Sequence, residues 1–583
     1  MQKLSNPNFK AFRARMLIPN FSFKDNYLSY LYKCIPLLGA VVLLLLPATF
    51  STFVSKGPIS LFFSLKEILL ALSFFLVPLV IFYRNIKVYL YLLFPLILLS
   101  PLFIFAILLY DIRPRFELIA LIMQTNLSEI KEAIAGYFSI FLPVLLIYSL
   151  LYLYFVRKIS FKKISFNFAF SLSLLALLFS FGRLYLEGGF HRKPLSEVSA
   201  ENLLAVRYYP VSLVGGALEA YSFSDGEMNV PEDFSFQAFA KDSLPQRKIF
   251  VLIIGESSRY DRWQLNGYER ETSPRLNKRK NLLSYPNVVS GSNQTRMAVP
   301  QMITRATPDS IELIYEELSI LAAFREVGYK TIWLSNQTDQ EIFYSGAINW
   351  HAKTADVSIF SPSHSPNFEF DTHYDERLLP ALDSLIRSSN ENLFIVMHTM
   401  GSHWNYARRY PEEFDVFKPS GLTVPISRPS ADNREAVSNS YDNSILYADY
   451  IIDSAIDIID RSDVVSSVMF LSDHGEDLFD DDPSQIDYHL SVSPITLRVP
   501  LFIWTSDLYQ QQYPQKQQAL RENLNKKIGG ENTFYTLLDI ANVGIIKDDS
   551  LKSLASPGFR DSEQKYVGSE VRKGFLYSEL LKQ

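Results

Sequence analysis

Two hydrophobic rhythms divide the chain. In the first third, apolar residues come in long, nearly uncharged runs at 35–54, 68–83, 88–110, 138–156 and 166–186. Most reach the roughly 20 residues needed to cross a hydrocarbon core of about 30 Å. The second run is short at its uncharged centre, and Arg183 lies near the end of the fifth. So many such runs within 35–186 predict a transmembrane domain of five helices rather than the buried helices of a soluble protein. The first run is too long and too far along the chain for a cleavable leader.

From residue 246 the rhythm shortens. Runs rich in β-branched and aromatic residues appear at 249–254, 331–334, 393–397, 468–471 and 501–504, and amphipathic stretches such as 311–327 and 441–460 lie between several of them. Fully apolar strands alternating with helices predict a largely parallel sheet covered on both faces. Ligand chemistry on such a sheet belongs at the carboxyl ends of the strands. The predicted organisation is a transmembrane domain over 1–187, a bridging segment along the membrane surface over 188–245, and an α/β catalytic domain over 246–583.

Basic residues orient the membrane part. Lys3, Lys10, Arg13, Arg15, Lys24 and Lys33 precede the first run; Arg84 and Lys87 separate the second from the third; Arg157, Lys158, Lys162 and Lys163 separate the fourth from the fifth. With five spans these segments share one face, so the N-terminus is expected in the cytoplasm and everything after the fifth span outside, in the periplasm of a Gram-negative cell. The connection DIRPRFELIALIMQTNLSEIKEAIAGY between the third and fourth runs mixes apolar residues with Thr125, Asn126, Glu129, Lys131 and Glu132. Its composition suits an amphipathic helix lying in the headgroup layer.

Composition narrows the chemistry. The net charge of −5 comes without a long basic run, which argues against nucleic acid as a partner. The single cysteine, Cys34, excludes an intrachain disulfide and a thiolate metal cluster. Two strand ends carry dense polar clusters. IIGESSR places Glu256, Ser257 and Ser258 after one apolar run, and VMFLSDHGED places Asp473, His474 and Glu476 after another. An Asp-His pair at a buried strand tip is costly in desolvation unless it binds something. Glu, Asp and His together suit Zn²⁺ or Mn²⁺ with an open position. Such a metal lowers the pKa of a bound hydroxyl. Ser257, Ser258 and Thr295 are the candidate hydroxyls, and the two serines also read as first-turn residues of a following helix.

GESSR, LNGYERETSP at 265–274, SNQTRMAVP at 292–300, HTMGSHWNYARRYP at 398–411, YDNSILYADY at 441–450 and SDHGE at 472–476 occur in that order. The set resembles the phosphoethanolamine transferases, membrane-anchored members of the alkaline phosphatase and sulfatase superfamily that modify lipopolysaccharide. Pieces such as SDHGE are shared with sulfatases and phosphoglycerol transferases, whereas the full ordered set is more specific.

The resemblance implies a periplasmic domain of alkaline phosphatase/sulfatase-like fold in the inner membrane enzyme, with Glu256, Asp473 and His474 as metal ligands and Thr295 as the metal-bound nucleophile. It implies zinc, one ion or two as in other members of the superfamily. His403 and His489 match histidines that contact the phosphoryl group or substrate. His398 matches a further histidine, Asn336 a polar position near the ethanolamine pocket, and Thr125 and Glu129 a lipid-facing motif. An asparagine found before that motif in some members is Leu121 here. The implied reaction takes phosphoethanolamine from phosphatidylethanolamine, through a phosphothreonine intermediate, to a core heptose or lipid A of lipopolysaccharide. The lack of paired cysteines resembles the branch acting on core heptose.

A phosphoglycerol transferase or other hydrolase on the same scaffold is the alternative enzyme, and a membrane-anchored sensor that has lost its metal is the non-enzymatic one. A monomer is expected. His191, His351, His364 and His373 lie in loop-like sequence and are expected to have no catalytic role, and Asp482 and Asp487 read as a solvated acidic loop.

Overall fold

Each apolar run of the first third is helical in the computed structural model, which describes residues 27–56, 61–110, 138–187, 209–210, 228–242, 246–337, 346–360, 374–424, 426, 429–480, 486, 491–546, 549–568 and 574–582. The chain divides into two units, Met1–Phe223 and Ser224–Gln583. In the first, α1 spans Tyr27–Lys56, and the second run forms α2 (Leu61–Leu76) and α3 (Leu79–Phe82). They part at Pro78, which has no N–H to continue the ladder. The third run forms α4 (Ile86–Leu92) and α5 (Phe94–Tyr110), bent by 44°, and the last two form α6 (Phe138–Lys158) and α7 (Phe166–Glu187).

Among the described residues, Ile140–Lys158 is long and apolar enough to cross a membrane, and the bent pair is a second such element if it acts as one span. The apolar stretches Lys33–Thr49, Ile68–Phe82 and Phe166–Gly182 are shorter. Large apolar side chains such as Ile147, Leu150, Leu175 and Phe181 are exposed on the outside of these helices. Two inward tyrosine hydroxyls are satisfied by backbone carbonyls: Tyr152 donates to Leu90 O at 2.7 Å and Tyr89 to Phe75 O at 2.7 Å. Where no water can substitute, an unpaired hydroxyl costs several kcal/mol.

The second unit is built on seven strands, β1 (Lys248–Gly255), β2 (Leu282–Tyr285), β3 (Lys330–Ser335), β4 (Val357–Phe360), β5 (Leu393–His398), β6 (Val465–Ser472) and β7 (Leu501–Thr505), in the order β2-β7-β6-β1-β5-β3-β4. Strands β6, β1, β5, β3 and β4 run parallel, and β7 and β2 add an antiparallel edge. Alternation along β1 explains why residues 249–254 are all apolar: Phe250, Leu252 and Ile254 enter the core on one face, and Ile249, Val251 and Ile253 the core on the other. One face is covered by α9 (Ile320–Glu326), the other by α11 (Leu378–Ser388) and the long α12 (Arg434–Asp460). Helix α8 (Thr295–Ile303) precedes α9 in the chain, and α10 (Gly346–Lys353) lies between α9 and α11.

Three expectations are corrected. The helix over 311–327 is two pieces, Leu313–Glu316 and Ile320–Glu326, because Glu317 and Ser319 adopt extended backbone and the Glu317 carboxylate pairs with Arg305. The short edge strands β2 and β4 are absent from the apolar pattern because each is at most half-buried, Tyr285 excepted. His351 lies not in a loop but in α10, fully buried, with Nε2 donating to Ile314 O at 2.9 Å. Thr125, Glu129, Leu121, His489, His191, His364, His373, Asp482 and Asp487 lie outside the described residues.

Burial pushes the His351 pKa down to about 4, against the pull of the Ile314 carbonyl. The unfolded chain, with an ordinary pKa near ~6.5, therefore binds a proton that the folded chain refuses between those values. This stability is fully present above pH ~6.5 and is lost as pH falls toward the folded value, on the order of 3 kcal/mol in all. H351Q keeps an amide donor without the titration. Its thermal midpoint is expected to fall less than wild type between pH 7.5 and 5, measured on the full chain in detergent; equal falls would refute this account.

Candidate functional site

Strands β1 and β6 pair in parallel with Gly255 opposite Ser472, so their tips end at one level, and Asp473 N donates to Gly255 O at 3.0 Å. Glu256 follows one tip, Asp473 and His474 the other, and all are buried. The His474 ring is oriented by its own turn: Nδ1 donates to Gly475 O at 2.8 Å, so Nε2 presents a lone pair. That lone pair meets Glu256 Oε1 and Asp473 Oδ2, each 3.4 Å away, and the Thr295 hydroxyl at 3.3 Å. Thr295 Oγ1 is also 3.3 Å from Glu256 Oε2.

Electron-rich atoms at these separations repel unless a cation lies among them. One candidate ligand atom from each of Glu256, Asp473 and His474 falls within 4.8 Å of the others, and Asp473 Oδ2 is buried without a hydrogen bond. Separations of 3.3–3.4 Å are those of neighbouring corners of a tetrahedron whose ligands stand about 2.0–2.1 Å from its centre. The residues fit a metal ion.

The serines of GESSR do other work. Ser257 holds a left-handed backbone, φ +54°, and its Oγ donates to Glu256 Oε1 at 2.9 Å. A non-glycine residue in that region is strained and needs outside support. Support comes from Asp473 Oδ1, which accepts Ser257 N at 3.0 Å, and from the buried Tyr441 on α12, which donates to Ser257 O at 2.6 Å and accepts Arg259 N at 2.9 Å. Ser258 N donates to Ser472 Oγ, and Ser258 Oγ accepts from Trp263 Nε1 at 2.9 Å. The expected first helical turn at these serines is absent; a 3-10 turn, Tyr260–Arg262, follows instead, because each N–H from 257 to 259 is taken by another segment. The Arg259 guanidinium, buried with the loop, bonds Asp261 and Asp480 and so ties the β1 tip to the segment after SDHGE.

Thr295 opens α8, at the positive end of the helix dipole. Ser290, just before it, donates to the carbonyl oxygens of Asp473 and Ser292, joining the threonine loop to the β6 tip. Asn336 ends β3; its N–H donates to His398 O at 2.9 Å and its amide to Asp375 Oδ1 at 2.8 Å. The neighbour Gln337, which sequence reasoning passed over, reaches the centre itself: Nε2 donates to Glu256 Oε2 at 3.2 Å and to Thr399 O at 3.1 Å. Nothing in the pattern WLSNQ distinguishes which amide turns inward.

His398 ends β5 with its ring edge-on to Trp333, and burial pushes its pKa down to about 4 despite the attraction of Asp473. His403 follows in the next turn, where Nδ1 donates to Trp404 O at 2.7 Å and Arg409 bonds the His403 carbonyl. That turn lies on the candidate metal centre: Ser402 N donates to Glu256 O at 2.9 Å. Gly401 has φ +46°, and a Cβ there would stand 2.7 Å from Glu256 O.

Residues 248–543 match the sulfatase family model. The phosphoethanolamine transferase EptA of Escherichia coli (strain K12) is 31% identical over 305 residues, 51% of this chain and 54% of that protein, so the chain spans about half the length of this curated relative. The integral membrane lipooligosaccharide phosphoethanolamine transferase A (EptA) from Neisseria meningitidis is similar in fold over 92% of this chain and 99% of its own, with a TM-score of 0.64 at 20% identity. The C-terminal periplasmic domain of EcEptC from Escherichia coli, solved in complex with Zn, aligns with 61% of this chain and 98% of its own, with a TM-score of 0.53 at 22% identity.

The close approach at Gly401 makes a specific demand. G401A forces Glu256 to move and places alanine in a strained backbone region, so retained divalent metal is expected to fall about tenfold. Elemental analysis of the purified full chain against wild type measures it, and unchanged metal content would show that the turn does not set Glu256.

Proposed function

The chain belongs to the sulfatase family, and from that premise we propose that it is a phosphoethanolamine transferase of the inner membrane, anchored by five spans, with its catalytic unit in the periplasm. The observation that carries this reading is the meeting of Thr295 Oγ1 with Glu256 Oε2 and His474 Nε2, both at 3.3 Å, beside the buried Asp473. The relatives named phosphoethanolamine transferases supply the transferred group, and the Zn complex of the EcEptC domain supports zinc. The ion would be held by Glu256, Asp473, His474 and Thr295. When bound it supplies positive charge that eases deprotonation of the threonine hydroxyl and offsets charge on the phosphoryl oxygens.

The chain's own residues do the rest. The hydroxyl proton of Thr295 has an acceptor in Glu256 Oε2, the lone pair of His474 Nε2 being reserved for the ion. Its oxygen attacks the phosphorus of phosphatidylethanolamine, the bond to diacylglycerol breaks, and diacylglycerol leaves as the alcohol after taking up a proton. An oxygen of lipopolysaccharide, on a sugar or a phosphate of core heptose or lipid A, then attacks the phosphothreonine and restores the free hydroxyl. The N–H groups of the first turn of α8 favour the anionic phosphoryl group at Thr295. His403 and His489 contact the phosphoryl group, His398 and Asn336 line the substrate side, and Thr125 and Glu129 meet the lipid headgroup.

Membranes carrying the protein and labelled phosphatidylethanolamine are expected to yield a labelled covalent adduct, absent in T295A, with transfer reduced more than about 10³-fold. An adduct persisting in T295A refutes the nucleophile. Label moving from phosphatidylglycerol instead identifies a phosphoglycerol transferase. Mass spectrometry of lipid A and core oligosaccharide, with and without the gene, names the acceptor.

A further inference from the structure

Asp375 lies in the 3-10 turn Asp375–Arg377 that leads into α11, outside every motif that drew attention in the sequence. It is 4% exposed, and its carboxylate gathers donors from two strand ends: Asn336 Nδ2 and Met400 N reach Oδ1, each at 2.8 Å, and Gly401 N reaches Oδ2 at 2.9 Å. Arg409, buried in the same turn as His403, adds positive charge nearby. A carboxylate so placed is a joint: it holds the end of β3 and the turn after β5 in one fixed relation.

Both segments held by Asp375 press on Glu256. From β5, Ser402 N donates to Glu256 O, and Gly401 packs so closely that its Cβ, were there one, would stand 2.9 Å from Glu256 N. From β3, Gln337, the residue after Asn336, donates to Glu256 Oε2 and also to Thr399 O, cross-linking the two segments above the ligand. On the opposite side Glu256 is fixed through Ser257 by Asp473 and Tyr441. The β3 and β5 contacts to Glu256 thus come from segments that meet at the Asp375 carboxylate.

We propose that Asp375 is a positioning residue for the metal centre, setting Glu256 as a ligand by clamping the 399–402 turn and the 336–337 tip against it. This rests on the reading that Glu256, Asp473 and His474 hold a metal. Removing a partner that orients a metal ligand costs about 10- to 100-fold in metal affinity. Asp449 provides a control of matching kind, a buried carboxylate on α12 whose oxygens accept Arg275 N at 3.0 Å and Leu276 N at 2.9 Å, without bonds to the residues around Glu256.

The full chain in detergent, stripped of metal, is titrated with zinc against a fluorescent chelator. D375N replaces one acceptor oxygen by an NH₂ that faces a backbone N–H, and its zinc affinity is expected to fall about 10- to 100-fold. D375E keeps charge and acceptors but displaces them, and an intermediate loss is expected. D449N is expected to lower the melting temperature while its zinc affinity stays within twofold of wild type. D375N binding zinc as wild type does, or D449N losing as much affinity as D375N, overturns the proposal. If D375N fails to fold, D375E decides by the same comparison. Wild-type protein that takes up no zinc overturns the metal reading itself, a result distinct from wild type binding zinc and D375N binding it equally.

Discussion

Like charge crowded into a dry place is the constraint on which the second unit turns. Parallel pairing of β1 with β6 brings Glu256 and Asp473 to the same height, with the lone pair of His474 between them. Burial removes the water that would screen these oxygens. The surroundings then supply donors wherever backbone can reach: Asp473 Oδ1 takes two N–H groups, from Ser257 and His474, and Glu256 takes the Ser257 hydroxyl and the Gln337 amide. What remains faces inward, toward a position that suits a cation.

The strand-tip position of this centre follows from the sheet. Strands buried on both faces have no polar side chain to spare along their length, so polar chemistry collects where they end. Helix α12 serves as a brace beneath the tips. Tyr441 holds the Ser257–Arg259 backbone, and the next residue, Asp442, gathers Arg262, Tyr268 and Arg270 from the segment LNGYERETSP and its approach. That segment and YDNSILYADY, far apart in the chain, are therefore two halves of one support.

Much of this was legible in the sequence, for definable reasons. The strands β1, β3, β5, β6 and β7 announced themselves as unbroken apolar runs, and Glu256, Asp473 and His474 as polar clusters directly after such runs. Thr295, placed by resemblance, comes to hydrogen-bonding distance of Glu256 and His474. What was illegible depends on contacts between distant segments. Gln337 and Asn336 are adjacent amides, and only the turn after β3 decides which meets Glu256. Asp375 carries no local signal, because its partners lie 25, 26 and 39 residues away. Ser257 looked like a nucleophile because its left-handed backbone cannot be read from its neighbours.

The strained serine also bears on the order in which the molecule is made. Ser257 is held in its left-handed state by Asp473, 216 residues further on, and by Tyr441, 184 residues further on. Until synthesis has passed those residues and the long loop has closed, neither support for the left-handed backbone at Ser257 exists. An ion that needed Glu256, Asp473 and His474 together would therefore find its site only once the second unit had folded.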